Sequence, residues 1–262
     1  MPRAIDDDRR VGAAAPSRPR GNPTVNTMTD CPTFIDLRAL AGAGAALDGT
    51  DPFDAVRPVA VSAGECEVFF IDLPAGHGTA TEARGDTWLF ALSGAVVFES
   101  MGADLTLAEG ESCGAPRGTS FGWRTDAPAT LLAMRYPGGN AGMAPGIVAI
   151  PNDAPLSPSN PPALDVLLSD VPACRSNNLF VSADAVFKCG IWDSTPYQRV
   201  PIFFHHSELM HLLEGSVSFV DKAGRAATFH KGDTFIIEQG AECSWDSQVK
   251  VAKIYAYYKP AA

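Results

Sequence analysis

The side chains best suited to chemistry gather in the last quarter of the chain. Glu208 offers a carboxylate, and His205, His206 and His211 are three of only five histidines in 262 residues. Cys243 adds a thiol, and Trp192, Tyr197 and Trp245 add aromatic faces. Imidazole beside carboxylate suits a divalent ion, proton transfer or a polar ligand. Strand alternation decides which of these groups can act together. From Glu208 the shared face carries Met210 and Leu212, leaving Leu209, His211 and Leu213 on the other. His211 is therefore expected at an interface or on the surface rather than in a ligand set. Cys243 and Trp245 share one face of a later strand. Tyr197 and Arg199 can reach the mouth of the same pocket, where a guanidinium favours an anionic ligand.

Each residue also has a plainer explanation. A buried free cysteine is commonly an inert small hydrophobe. Trp192 and Trp245 can be core, and Glu208 can simply pair with a nearby arginine. His230, beside the Lys231-Gly232-Asp233 turn, and His77, after Pro74-Ala75-Gly76, read as loop residues.

The elements that must position these groups repeat. Leu92-Ser93-Gly94-Ala95-Val96 recurs as Leu213-Glu214-Gly215-Ser216-Val217, an offset of 121 residues. Gly110, Gly118 and Trp123 recur as Gly232, Gly240 and Trp245 at an offset of 122, and Ile71-Asp72 falls on Trp192-Asp193. Five landmarks at nearly one offset indicate an internal duplication. Each copy consists of short apolar or alternating runs punctuated by glycine turns. Examples are Glu67–Leu73, Thr87–Leu92, Ser216–Val220, Phe235–Ile237 and Val251–Tyr258. That pattern predicts a sandwich or barrel rather than a βαβ fold.

Composition allows a proper core, with 46% hydrophobic residues, and a net charge of −10 argues against a nucleic-acid binder. No apolar run is long enough to cross a bilayer. Six scattered cysteines without a CxxC pair read as reduced thiols of a cytoplasmic protein. Residues 1–30 mix arginines with an Asp6-Asp7-Asp8 run among Ala, Pro, Gly and Ser. They read as a disordered tail, with Met28 as the expected natural start. The division expected from these signals is a first barrel over 31–137, a Pro-rich linker over 138–178 and a second barrel over 179–262. The linker is expected to lie along the barrels as a strap, with Ala163–Leu168 packing as a short helix or strand.

The spacings resemble the cupin superfamily. Its second motif runs from a glycine through a proline and glycine to a histidine, and Gly110, Pro116 and Gly118 fit the first half. Gly232 and Gly240 fit again, with Glu238 where proline is usual, and Glu208 to Gly215 fits the end of the first motif. The stretch Gly190–Pro196, with Glu208, His211–Gly215 and Gly232–Phe235, is similar to a narrower group. That group is the Cupin-3 family, which includes ureidoglycine aminohydrolase-like cupins and relatives of an ethanolamine-utilisation protein. The resemblance implies an all-β chain of two tandem cupin jelly-roll barrels, and its metal-binding members hold a divalent ion with histidines and a carboxylate.

Several ligand positions of this chain depart from that pattern. The paired histidines should stand at 202 and 204, which hold Ile202 and Phe204. The last motif histidine falls on Cys243 in the second barrel and Phe121 in the first, and the first barrel has Thr87 in place of the glutamate. The first barrel is therefore expected to have an empty apolar or aromatic interior and a structural role. In the second, Glu208, His206, Cys243, Trp245, Trp192 and Tyr197 are expected to line a ligand site with no metal or other cofactor. A divalent metal in that barrel is the alternative.

Three functions follow. The first is a bicupin binding a small polar metabolite without an obligatory metal. The second is a metal-assisted hydrolase of a small nitrogenous compound, as the aminohydrolase resemblance implies. Its own ligand pattern lands on Ile202, Phe204 and Glu208, with no glutamine beside Trp245. The third is a non-catalytic assembly protein that uses the outward face of Leu209, His211 and Leu213. The expected partners are a small-molecule ligand and a second copy of the chain in a homodimer, with neither nucleic acid nor membrane.

Overall fold

A computed structural model describes residues 33–42, 51–100, 102–138 and 146–260. The tail at 1–30 and the start at Met28 lie outside the described residues. The short strand β1 (Ile35–Asp36) and helix α1 (Leu37–Ala41) come first. Ten strands follow: β2 (Arg57–Pro58), β3 (Glu67–Leu73), β4 (Gly76–Glu82), β5 (Asp86–Ser93), β6 (Val96–Ser100), β7 (Ala103–Leu107), β8 (Ser112–Ala115), β9 (Thr119–Thr125), β10 (Ala129–Tyr136) and β11 (Val148–Ile150). The remainder are β12 (Ser157–Ser159), β13 (Cys174–Val181), β14 (Phe187–Ser194), β15 (Tyr197–Phe203), β16 (Ser207–Glu214), β17 (Ser216–Val220), β18 (Ala226–His230), β19 (Thr234–Ile237), β20 (Glu242–Ser247) and β21 (Val251–Tyr258).

These strands form two jelly-roll barrels, each a large sheet facing a small one. In the first, the sheet β11-β8-β5-β10-β3-β2 faces β4-β9-β6-β7. In the second, β1-β19-β16-β21-β14-β13-β12 faces β15-β20-β17-β18. The Pro-rich stretch thus supplies β11 to one barrel and β12 with the start of β13 to the other, and Leu164–Val166 is one turn of 3-10 helix. The duplicated glycine turns do what their spacing implies. Gly94 and Gly215 adopt φ of 73° and 79°, and a Cβ on Gly215 would collide with the Lys250 carbonyl.

Hydrophobic pattern explains the layering. Strands of the small sheets alternate, as in Ser216–Val220 and Thr119–Thr125, because one face is solvated. Strands of the large sheets are nearly continuous apolar runs, because both faces are buried. One face closes its own barrel, with Phe69, Ile71 and Leu131 in the first and Met210, Leu212 and Phe235 in the second. The other faces of the two large sheets pack together, joining Phe70, Trp88, Phe90 and Leu132 to Phe187, Ile191, Leu209 and Ile254. Leu209 and His211 are buried there, with Leu213 partly so, which gives the outward face of β16 an occupant within the same chain. The His211 ring lies 4.7 Å from the Phe90 ring, and its Nδ1 is 2.9 Å from Thr234 Oγ1.

The first barrel's interior differs from the apolar cavity expected of it. Arg135 and Glu82 are both buried there, joined by Nη2 to Oε2 at 2.8 Å and Nε to Oε1 at 3.0 Å. Thr87 Oγ1 donates to the same carboxylate at 2.9 Å, and the guanidinium lies 4.4 Å from the Phe69 ring centre. The backbone N–H groups of Arg84 and Gly85 donate to Glu82 as well. Glu82 lies outside the motif position that Thr87 occupies, so the motif alone does not reveal it. A satisfied ion pair fills the space where that barrel lacks a ligand set, leaving a cavity of about 70 Å³ beside it.

The N-terminal arm crosses to the far barrel. β1 pairs with β19 on the edge of the second barrel's large sheet. Thr33 donates to Asp221, which also accepts from Arg225, and Phe34 packs on Phe219 at 5.5 Å. Glu238, which replaces the motif proline, is fully buried and accepts from the Ser62 backbone N–H.

Candidate functional site

The inward face of the second barrel gathers all six candidate residues. Glu208, on β16, points inward with Met210 and Leu212, as alternation predicts. On the neighbouring β21, Lys253, Tyr255 and Tyr257 share the inward face. Lys253 stands opposite Leu212 and reaches past Met210, so that Nζ lies 2.8 Å from Glu208 Oε1 and 3.2 Å from Met210 Sδ. The same ammonium sits 4.9 Å from the ring centre of Trp192 and 5.6 Å from that of Trp245. A cation against two indole faces is stabilised by their quadrupoles.

The aromatic groups brace one another. Trp245 stacks on Tyr197 at 5.3 Å and meets Trp192 edge-on at 5.8 Å, while its indole N–H donates to Ser247 Oγ at 3.1 Å. Burial of Tyr197 raises its phenol well above the usual range. The Tyr255 hydroxyl donates to Asn178 Oδ1 at 2.8 Å. Burial also pushes the Tyr257 phenol up to about 12, with the Glu208 charge adding to the effect.

His206 completes the mouth. Its Nε2 is 3.9 Å from Glu208 Oε2, and its ring packs against Tyr257 at 4.6 Å and Phe204 at 4.7 Å. Burial lowers its pKa to about 4 against the opposing pull of Glu208, so the imidazole is neutral near pH 7. The side chains of His206 and Glu208 remain 20% and 14% exposed, and Trp192 and Tyr257 are half-buried. This polar patch is therefore partly open to solvent.

Cys243 is fully buried in the aromatic core, and burial pushes its thiol up to about 12. Its contribution to the cluster is through the backbone, since its carbonyl accepts from Arg199 Nη1 at 2.7 Å. His205, His230 and His77 are exposed, and His211 lies on the other face of the large sheet.

Lys253 is the member that sequence reasoning missed. The signal was present in Val251–Tyr258, where Lys253 shares parity with two inward tyrosines. Among the described residues, no group of three or more His, Cys, Asp or Glu side chains converges as a metal cluster would. No helix among them is long and apolar enough to cross a membrane.

Residues 181–255 match the EutQ-like cupin domain. Two jelly-roll barrels, one carrying that match, define the class as a two-domain cupin. A crystal structure of a protein of unknown function from Pseudomonas syringae pv. tomato str. DC3000, a member of the DUF861 family, is 30% identical with a TM-score of 0.75. The match covers 86% of this chain and 98% of that one. The chain belongs to the DUF861 family of cupins. The fold is shared more distantly with a cupin 2 conserved barrel domain protein from Leptotrichia buccalis, at 11% identity and a TM-score of 0.54 over 89% of this chain and all of that one. It is shared also with a mutant of the salicylate 1,2-dioxygenase from Pseudoaminobacter salicylatoxidans, at 12% identity and a TM-score of 0.57 over 91% of this chain and 86% of that one. No curated protein matches the chain.

Proposed function

We infer that this bicupin binds a small polar metabolite in its second barrel, at Glu208 and His206 among Trp192, Trp245 and Tyr197, without an obligatory metal. The observation that carries this reading is the Lys253–Glu208 pair, 2.8 Å apart on the inward face of a solvent-reachable barrel. Metal-binding cupins offer a free carboxylate and several imidazoles to one ion. Here an ammonium already neutralises that carboxylate, and the paired-histidine positions are Ile202 and Phe204. The donor set therefore does not fit a divalent ion. A mostly aromatic lining with a few fixed polar groups is of the kind that suits a small organic ligand.

Metal content of untagged protein purified without chelators, measured by plasma mass spectrometry, tests metal independence. Metal well below one equivalent is expected, whereas near-stoichiometric manganese, iron, nickel or zinc would overturn it. A thermal-shift screen of polar metabolites tests the site. Stabilisation by any hit should be lost in Glu208→Gln, and a response unchanged in that variant would remove the site from consideration.

A further inference from the structure

Arg199 carries a charge that the second barrel does not balance. It lies on β15, inward-facing, opposite Trp245 on β20, and is only 5% exposed. Nη1 donates to the Cys243 carbonyl at 2.7 Å and the Val200 carbonyl at 3.3 Å. The Tyr197 phenol and the Cys243 thiol lie beside the guanidinium, and the Phe204 ring centre is 5.5 Å away. Every one of these partners is neutral. Among the described residues no carboxylate forms an ion pair with Arg199, whereas the buried guanidinium of the first barrel, Arg135, is matched by Glu82.

The surrounding titratable groups do not supply the missing charge. Glu208 is matched by Lys253. His206 is neutral near pH 7, and burial keeps the Tyr197, Tyr255 and Tyr257 phenols and the Cys243 thiol protonated. The inward cluster thus holds two cations and one anion. A buried charge without a counter-charge is costly, and a planar guanidinium is shaped to take a carboxylate with two parallel hydrogen bonds.

Resting on the metabolite-binding reading above, we propose that the ligand is a small monocarboxylate. Its carboxylate pairs with Arg199, its body lies along the Tyr197–Trp245 stack, and its remaining polar group faces Glu208 and His206. The ligand supplies the counter-charge that the protein withholds, so charge as well as shape selects it. A neutral isostere of the same shape would leave Arg199 unmatched.

Calorimetric titration of untagged full-length protein with two matched pairs separates charge from shape. The pairs are benzoate against benzamide and glycolate against glycolamide. At least one carboxylate should bind about tenfold or more tighter than its amide. Arg199→Met should abolish that preference, and Arg199→Lys should keep part of it. The wild-type comparison stands even where a variant folds poorly. Amides binding as well as or better than the carboxylates would overturn the monocarboxylate assignment. Loss of that binding in Glu208→Gln would at the same time leave the metabolite reading standing. Absence of binding by all four probes at millimolar concentration would also overturn the assignment, and metal content would then judge the broader reading separately.

Discussion

Lys253 Nζ and Glu208 Oε1 lie 2.8 Å apart inside the second barrel, on adjacent strands, beneath two indole rings. The pair arises from a one-residue parity choice on each strand and from the register that sets Leu212 opposite Lys253. It sets an ammonium against the carboxylate on the barrel's inward face.

Breaking the pair from one side should cost more than removing it whole. Lys253→Met leaves a carboxylate without its counter-charge among aromatics, and should destabilise by about 3–5 kcal/mol. Lys253→Met combined with Glu208→Gln removes both charges and should recover at least half of that loss. Urea unfolding of the three variants measures it, and a double variant no more stable than the single one would contradict the argument.

Stability should fall on mild acidification because of His211. Burial against Phe90 lowers its pKa to about 4, with Arg38 adding to the effect and Asp233 opposing it. The unfolded chain, with a histidine near 6.5, binds the proton first, so stability is full above that value and is lost as pH falls toward 4. His206 is depressed similarly and acts in the same direction. Each contributes on the order of 3 kcal/mol at most across the window. Urea midpoints should therefore drop between pH 7 and pH 4.5, and His211→Asn should flatten the profile; an unchanged slope in that variant would exclude His211 as the cause.

The thiols should be silent in the native state. Cys66, Cys113, Cys174, Cys189 and Cys243 are all free and buried, and burial raises each of them. A Cys31→Ser variant should react with a thiol reagent at pH 8 only on the timescale of unfolding, and give five equivalents at once in denaturant. A fast equivalent lost on Cys243→Ala would instead mark that thiol as accessible from the site.

Much of this arrangement was legible because strands encode faces by parity. Glu208, Met210 and Leu212 on one side and Leu209 and His211 on the other follow from alternation alone. The continuous apolar runs of β3 and β5 carry a further message, that both faces of those strands are covered. Lys253 escaped because a lysine in a strand ordinarily points to water, and its partner lies 45 residues away on another strand. Glu82 and Arg135 escaped for a related reason, since they meet across 53 residues and neither stands at a motif position. The crossing of β1 had no local signal at all: two residues of strand have no period to read.

That crossing sets an order of events during synthesis. Ile35 pairs with Ile236, a partner made about 200 residues later, which corresponds to roughly 10–40 s of translation. Over that interval the arm must wait without its partner strand, while the first barrel is being completed on the chain. Closure of β1 onto β19 is thus a late, long-range step whose loop entropy is met only once most of the second barrel exists. A strand made early in synthesis is thus among the last to find its place.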